Sequence, residues 1–222
     1  MTKEVEMNAV IIGATGLVGK NIVNEALKND LFKEVKVFVR RSMNLSHPKL
    51  KEFVIDFDSI DHWKNEISGD VLFSALGTTL KAAGSKAAQY KVDHDYQLHF
   101  ARIAAENGIK SYVLISSVNA DSTSSFFYLK MKGELEEQIR KLPFHSVSIL
   151  RPGPLKGERE KSRLSEIISV GILSRLTTVI KAPNISPVNG VHVAKISIEA
   201  ALLQRPGINI FEPKDILRDH IL

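Results

Sequence analysis

The spacing of apolar and polar residues switches between two periods along the first two thirds of the chain. "NAVIIG" (8–13) is a short apolar run ending in glycine, and "DVLFSALG" (70–77) is nearly all apolar. Runs of this length without polar alternation are the pattern of strands covered on both faces. "EVKVFVR" (34–40), "KEFVID" (51–56), "SYVLISS" (111–117) and "HSVSILRPG" (145–153) read as four more strands, rich in β-branched and aromatic residues. Between them the period becomes helical. Leu17, Val18, Ile22, Val23, Ala26 and Leu27 recur along 17–29 at the spacing of one helix face. A long helix is predicted over 89–108, stopped by Asn107-Gly108. Another begins in "SSFFYLKMKGELEEQ" (124–138) and runs to about Lys141, ahead of Pro143.

This alternation predicts an α/β fold, a Rossmann-type doubly wound parallel sheet with right-handed crossovers. The pattern weakens after residue 153. Residues 157–163 read as a charged loop and "LSEIISVGILSRL" (164–176) as a helix. Residues 185–204 read as a short strand and a helix, and 207–216 as a last strand and a tail. No repeat, low-complexity tract or linker separates these segments. The expectation is one domain over 1–222, with 154–222 contributing a small C-terminal substrate lobe.

The turn after the first strand carries the first chemistry. In "IIGATGLVGKNI", Gly13, Gly16 and Gly19 are spaced G-x-x-G-x-x-G between an apolar strand and an amphipathic helix. Gly13 makes the tight turn, Gly16 lets backbone approach a pyrophosphate, and Gly19 lets the helix pack closely on the sheet. The helix N-terminus offers N–H groups to the phosphates, with Thr15, Leu17 and Val18 beside them. A P-loop is excluded because no Gly-Lys-Ser/Thr follows. The second strand ends in Arg40 and Arg41, cations suited to a ribose 2′-phosphate, so NADP(H) is preferred over NAD(H). Asp56 and Phe57, after the third strand, are candidates for the adenine; a helix-capping role for Asp56 is the competing reading. Leu76, Gly77 and Thr78 follow the fourth strand, where the chain would pass the dinucleotide.

Tyr128 and Lys132 lie four positions apart on a predicted helix. With 4 Tyr and 20 Lys in the chain, composition alone yields about 0.4 such pairs, so the spacing by itself decides nothing. Position gives it meaning. A hydride-transfer enzyme needs a proton donor at the substrate oxygen. A free tyrosine ionises near 10, and an ammonium one turn away favours its phenolate. Ser116 and Ser117 end the fifth strand, where a hydroxyl would meet the same oxygen. Glycine loop, Ser-Ser strand end and Tyr-Lys pair therefore converge on one crevice.

The glycine loop, "ISS" (115–117), "YLKMK" (128–132) and "LRPG" (150–153) resemble the short-chain dehydrogenase/reductase superfamily. "LGTTLKAAGS" (76–85), "VDHDYQLHFARIAAENG" (92–108), "SSVNADSTSSFFYLKMKGELE" (116–136) and the run 150–163 are closer to its atypical branch, typified by the Tat-interacting tumour-suppressor protein. The resemblance implies an NADP(H)-binding Rossmann protein with a small C-terminal lobe. It assigns the roles above to Gly13, Gly16, Gly19, Arg40, Tyr128 and Lys132. It also implies members described as regulators with poorly defined substrates. Two departures stand out: "KVDHDY" (91–96) replaces the region where extended members carry an asparagine, and Ser117 precedes Tyr128 by only eleven positions.

The leading expectation is an NADP(H)-dependent oxidoreductase acting on a carbonyl or alcohol. The alternative is an NADP(H)-binding regulatory or redox-sensing protein without turnover. A nucleotide-sugar epimerase would need a larger substrate lobe. Composition narrows the rest. There are no cysteines, which excludes disulfides and thiolate chemistry. The net charge of +5 comes from dispersed lysines, so no nucleic-acid partner is expected. The seven histidines are scattered and no metal site is expected. His192 is read at a helix start, Arg151 as structural, and Glu136-Glu137 as a solvated face. "MTKEVEMNAV" lacks an apolar signal core and is acidic for a mitochondrial presequence, and "IISVGIL" is too short to span a bilayer. The expectation is a cytoplasmic protein off the membrane, binding a small-molecule substrate, with a protein partner or homodimer left open.

Overall fold

The computed structural model describes residues 6–156 and 187–218. Strand β1 (Met7–Ile12) leads through the glycine turn into helix α1 (Leu17–Lys28). Strands β2 (Phe32–Val39) and β3 (Leu50–Val54) follow, then a 3₁₀ segment (Phe57–Glu66) and β4 (Val71–Ser74). The short helices α2 (Leu80–Ala83) and α3 (Lys86–Tyr90) come next. Helix α3 runs on through a π turn (Lys91–Asp95) into α4 (Tyr96–Glu106). Strand β5 (Ser111–Ile115), helix α5 (Phe127–Ile139) and strand β6 (Ser146–Leu150) complete the central repeat. After it come β7 (Leu155–Lys156), β8 (Val188–Asn189), α6 (Gly190–Leu203), β9 (Gly207–Phe211) and α7 (Pro213–Ile216).

Among the described residues, seven strands form one sheet in the order β3-β2-β1-β4-β5-β6-β9, every neighbouring pair parallel. The order reverses between β1 and β4, which opens a crevice at their carboxyl ends. The apolar runs are explained by helices on both faces. Ala9 and Ile11 of β1 pack with Val18, Ile22 and Val23 of α1 and with Val193 and Ile196 of α6. Val10 and Ile12 face the other way, against Phe100 and Ile103 of α4 and Leu135 and Ile139 of α5.

The six strands expected over the first two thirds are all present, with ends shifted by at most three residues. The helix predicted over 89–108 is interrupted by the π turn, which spacing alone does not reveal. Of the stretch expected to form the lobe, α6 lies against α1 and β9 pairs with β6 on the central sheet. The charged loop (157–163) and the helix (164–176) lie outside the described residues.

Candidate functional site

The crevice is built first by the β1–α1 turn. Gly13 has φ +77°, a conformation that strains residues with a Cβ. A Cβ there would also collide with the Ala75 backbone at the end of β4, and one on Gly19 would collide with the Gly13 carbonyl. Gly16 is the N-cap of α1; its N–H donates to the Gly13 oxygen at 2.9 Å. No side chain caps this helix and no acidic residue occupies its first turn. Its N–H groups and positive dipole end therefore face the crevice uncompensated, the arrangement that holds a diphosphate. Thr15 beside it is exposed, Leu17 half-buried and Val18 buried.

Arg40 and Arg41 follow β2 and are exposed, and neither guanidinium has a hydrogen-bond or ion-pair partner among the described residues. Glu52 on the neighbouring β3 is committed to the Met43 N–H at 2.7 Å. Asp56 is the N-cap of the 3₁₀ segment, accepting from the Asp58 N–H at 2.9 Å. Phe57 is 3% exposed, its ring 5.5 Å from that of Tyr96. Past β4, Leu76 packs on the core and Gly77 is exposed. The Thr78 N–H donates to Asp93 Oδ2 at 2.8 Å.

Across the crevice, Tyr128 stands in the first turn of α5, half-buried, its hydroxyl without a partner among the described residues. Lys132, one turn on, is 3% exposed, with Nζ 3.9 Å from Asp93 Oδ1. The two serines differ. Ser116 is buried and its hydroxyl donates to Glu136 Oε1 at 2.6 Å. Ser117 is less enclosed and donates only to the Val118 carbonyl, at 3.3 Å. The short Ser117-to-Tyr128 interval is met by close packing at Gly133, where a Cβ would collide with the Ser122 backbone.

Two residues of this region escaped the sequence reading. Glu136, read there as part of a solvated face, is 1% exposed. It accepts from Arg151 twice, at 3.0 and 2.6 Å, and from Arg140 at 3.3 Å; Arg151 also reaches Glu212 at 2.9 Å. The Glu136 carboxylate beside it raises the Arg151 guanidinium above its ordinary range. Burial of Glu136 is tolerated because its charge is paired and its oxygens are hydrogen-bonded. Spacing could have found it: Tyr128, Lys132, Glu136 and Arg140 recur every four residues on one face of α5. Asp93, 1% exposed in the π turn, is the other. The remaining tyrosines are engaged elsewhere. Burial first, then the Glu134 carboxylate, pushes Tyr90 up to about 12. Burial and Asp58 push Tyr96 up, and burial pushes Tyr112 up. Among the described residues no group of three or more His, Cys, Asp or Glu converges on a metal-sized site, and no helix is long and apolar enough to cross a membrane.

Residues 25–182 match the HIM1 family. The chain belongs to that family. Among relatives of this HIM1-family chain is "Protein FMP52, mitochondrial" of Saccharomyces cerevisiae, 36% identical over 222 aligned residues that span 95% of each chain. The protein of the same description from Emericella nidulans is 39% identical over 184 residues, 78% of this chain and 79% of the relative. Solved structures share the fold at low identity. WbmG of Bordetella bronchiseptica, in complex with NAD, superposes with a TM-score of 0.69 at 13% identity, over 96% of this chain and 74% of that one. A short-chain dehydrogenase/reductase superfamily protein from Agrobacterium tumefaciens with bound NAD gives 0.68 at 13%, over 92% and 76%. The Rossmann-type parallel α/β fold is therefore shared with these neighbours. The relatives' names correct one expectation: they are mitochondrial proteins, which overturns the cytoplasmic reading. That reading rested on the acidic N-terminus, which speaks only to a basic, amphipathic presequence and not to other routes.

Proposed function

We propose that this HIM1-family protein is an NADP(H)-dependent oxidoreductase acting on a carbonyl or alcohol, in one domain whose substrate lobe includes residues near the C-terminus. The observation that carries it is the partnerless Tyr128 hydroxyl one turn before the enclosed Lys132 ammonium, on the helix that follows Ser117. The chain fits a dinucleotide: the uncapped α1 N-terminus and the Gly13–Gly19 turn would hold the diphosphate, and Arg40 and Arg41 a 2′-phosphate. Nicotinamide cofactors in neighbours of this fold support the same reading, although those neighbours hold NAD. The free arginines favour the phosphorylated form.

A reduced nicotinamide, when bound, supplies hydride to the carbonyl carbon. Tyr128 donates its Oη proton to the carbonyl oxygen, so that the carbonyl leaves as an alcohol. The Lys132 ammonium stabilises the phenolate left behind. Ser117 Oγ orients the substrate oxygen; Ser116, bound to Glu136, is the supporting residue beside it. The narrower likeness to the Tat-interacting branch rests on the sequence strings and belongs with this proposal, as does residence in mitochondria, taken from the relatives' names. A regulatory protein without turnover would share the cofactor cradle, but it has no need of a free phenol one turn from an ammonium.

The test is NADPH consumption over a panel of aldehydes and ketones by wild type and Tyr128→Phe. Turnover should fall by roughly 10²–10⁴-fold in the variant, with NADPH binding retained. A Tyr128→Phe protein turning over at the wild-type rate overturns the mechanism.

A further inference from the structure

Asp93 sits in the π turn, a feature that proteins commonly keep where a helix serves a site. Its carboxylate meets two elements at once. Oδ2 accepts from the Thr78 N–H in the loop after β4, at 2.8 Å, and Oδ1 lies 3.9 Å from Lys132 Nζ on α5. The second contact is too long for a hydrogen bond and is a pairing of charges. The carbonyl of Asp93 accepts from the Gln97 amide, which is itself held by Ser74 Oγ at 2.7 Å. Both charged groups are enclosed: Asp93 is 1% exposed and Lys132 3%. A lysine so enclosed gives up its proton readily unless an anion faces it.

The other titratable groups on the elements packed here have different partners. Tyr90 donates to Glu134 at 2.9 Å, and Lys130 stands 3.9 Å from the same residue. His94 meets Asp95 at 2.8 Å and Lys91 meets Asp58 at 2.6 Å. Lys86 lies over the Phe127 ring, and Glu136 is bound by Arg151 and Ser116. Among the described residues, Asp93 is the anion paired with Lys132.

We propose that Asp93 is a positioning residue of the Tyr128 site: its buried carboxylate keeps the Lys132 ammonium charged and fixed one turn from the phenol, and ties the loop after β4 to the same point. This rests on the reading of Tyr128 and Lys132 given above. Removing the charge leaves Lys132 enclosed without an anion. It then sheds its proton, and the Tyr128 phenolate loses its counter-charge.

The test is the ultraviolet titration of phenolate in the full chain, with Tyr128 isolated as the difference between each protein and its Tyr128→Phe counterpart. Tyr90, Tyr96 and Tyr112 are common to both and cancel. Asp93→Asn keeps an acceptor for the Thr78 N–H and removes only the charge. It should move the Tyr128 titration to higher pH by about one unit, as should Lys132→Met, whereas Asp93→Glu should leave it near wild type. A shift in Lys132→Met with none, or a downward one, in Asp93→Asn overturns the role of Asp93 and leaves the Tyr-Lys pair standing. No shift in Lys132→Met overturns both. If Asp93→Asn does not fold, carbon-13 shifts of the lysine ε-methylenes in the wild-type chain decide, with Lys132 assigned by its loss in Lys132→Met. Lys132 should remain an ammonium until the surface lysines titrate; a titration below theirs overturns the proposal.

Discussion

Tyr128 and Lys132 are held in opposite ways. The phenol has no partner among the described residues, while the ammonium is enclosed against a carboxylate. A reactive group left free beside one held rigid is what proton donation requires, since the donor must meet substrate while its electrostatic surroundings stay fixed. The phosphate turn shows the same economy of side chains. Gly13 combines positive φ with contact against the Ala75 backbone. Gly13→Ala is expected to cost at least about 1–3 kcal/mol from the strained backbone alone, and to abolish saturable NADPH binding. Urea unfolding and nucleotide fluorescence check the two effects separately; an unchanged midpoint would contradict the packing described. These glycines were legible in the sequence because their spacing sits between a strand and a helix. Asp93 was not, because its partners Thr78 and Lys132 come from elements distant in sequence.

At the scale of elements, Glu136 ties four of them together. It joins the end of β5 through Ser116 and the end of β6 through Arg151, which in turn reaches the N-cap of α7 at Glu212. The azimuth of α5, and so the direction of Tyr128, depends on this node. Glu136→Ala leaves Arg151 without its main partner and should destabilise the fold by on the order of 3 kcal/mol. Glu136→Ala with Arg151→Met should cost less than the sum of the single changes. Equal, additive losses in urea unfolding would contradict a coupled pair. The strands were readable from their apolar runs, and α1 and α5 from helical spacing. The π turn was not, because what it meets is tertiary: Asp93 within it accepts from the Thr78 N–H and faces Lys132, both on other elements.

At the scale of the molecule, the parallel order fixes where chemistry can occur. The reversal between β1 and β4 brings the glycine turn, the Arg40–Arg41 strand end and the loop after β4 to one edge, with α5 beside them. This much followed from strand-helix alternation. The surroundings of the tyrosines did not, since they depend on packing. Tyr90, pushed up to about 12 in the folded chain, ionises near 10 when unfolded. Between those values the unfolded chain binds fewer protons, so Tyr90's contribution to stability is complete below about 10 and is lost as pH rises towards 12. Tyr96 and Tyr112, also pushed up, act in the same direction. Urea midpoints should therefore fall with rising pH above about 10, less steeply in Tyr90→Phe. Identical slopes would contradict this account of Tyr90.

The proposed activity needs a nicotinamide dinucleotide across that edge, and the proposed role of Arg40 and Arg41 needs its phosphorylated form. Fluorescence titration of NADPH against NADH on the purified chain tests this most directly. A charge-assisted contact contributes about 1.5–3 kcal/mol, so NADPH should bind at least roughly tenfold more tightly than NADH. The combined change Arg40→Ala, Arg41→Ala should erase the difference. Tighter binding of NADH, or no saturable binding of either nucleotide, would contradict the account.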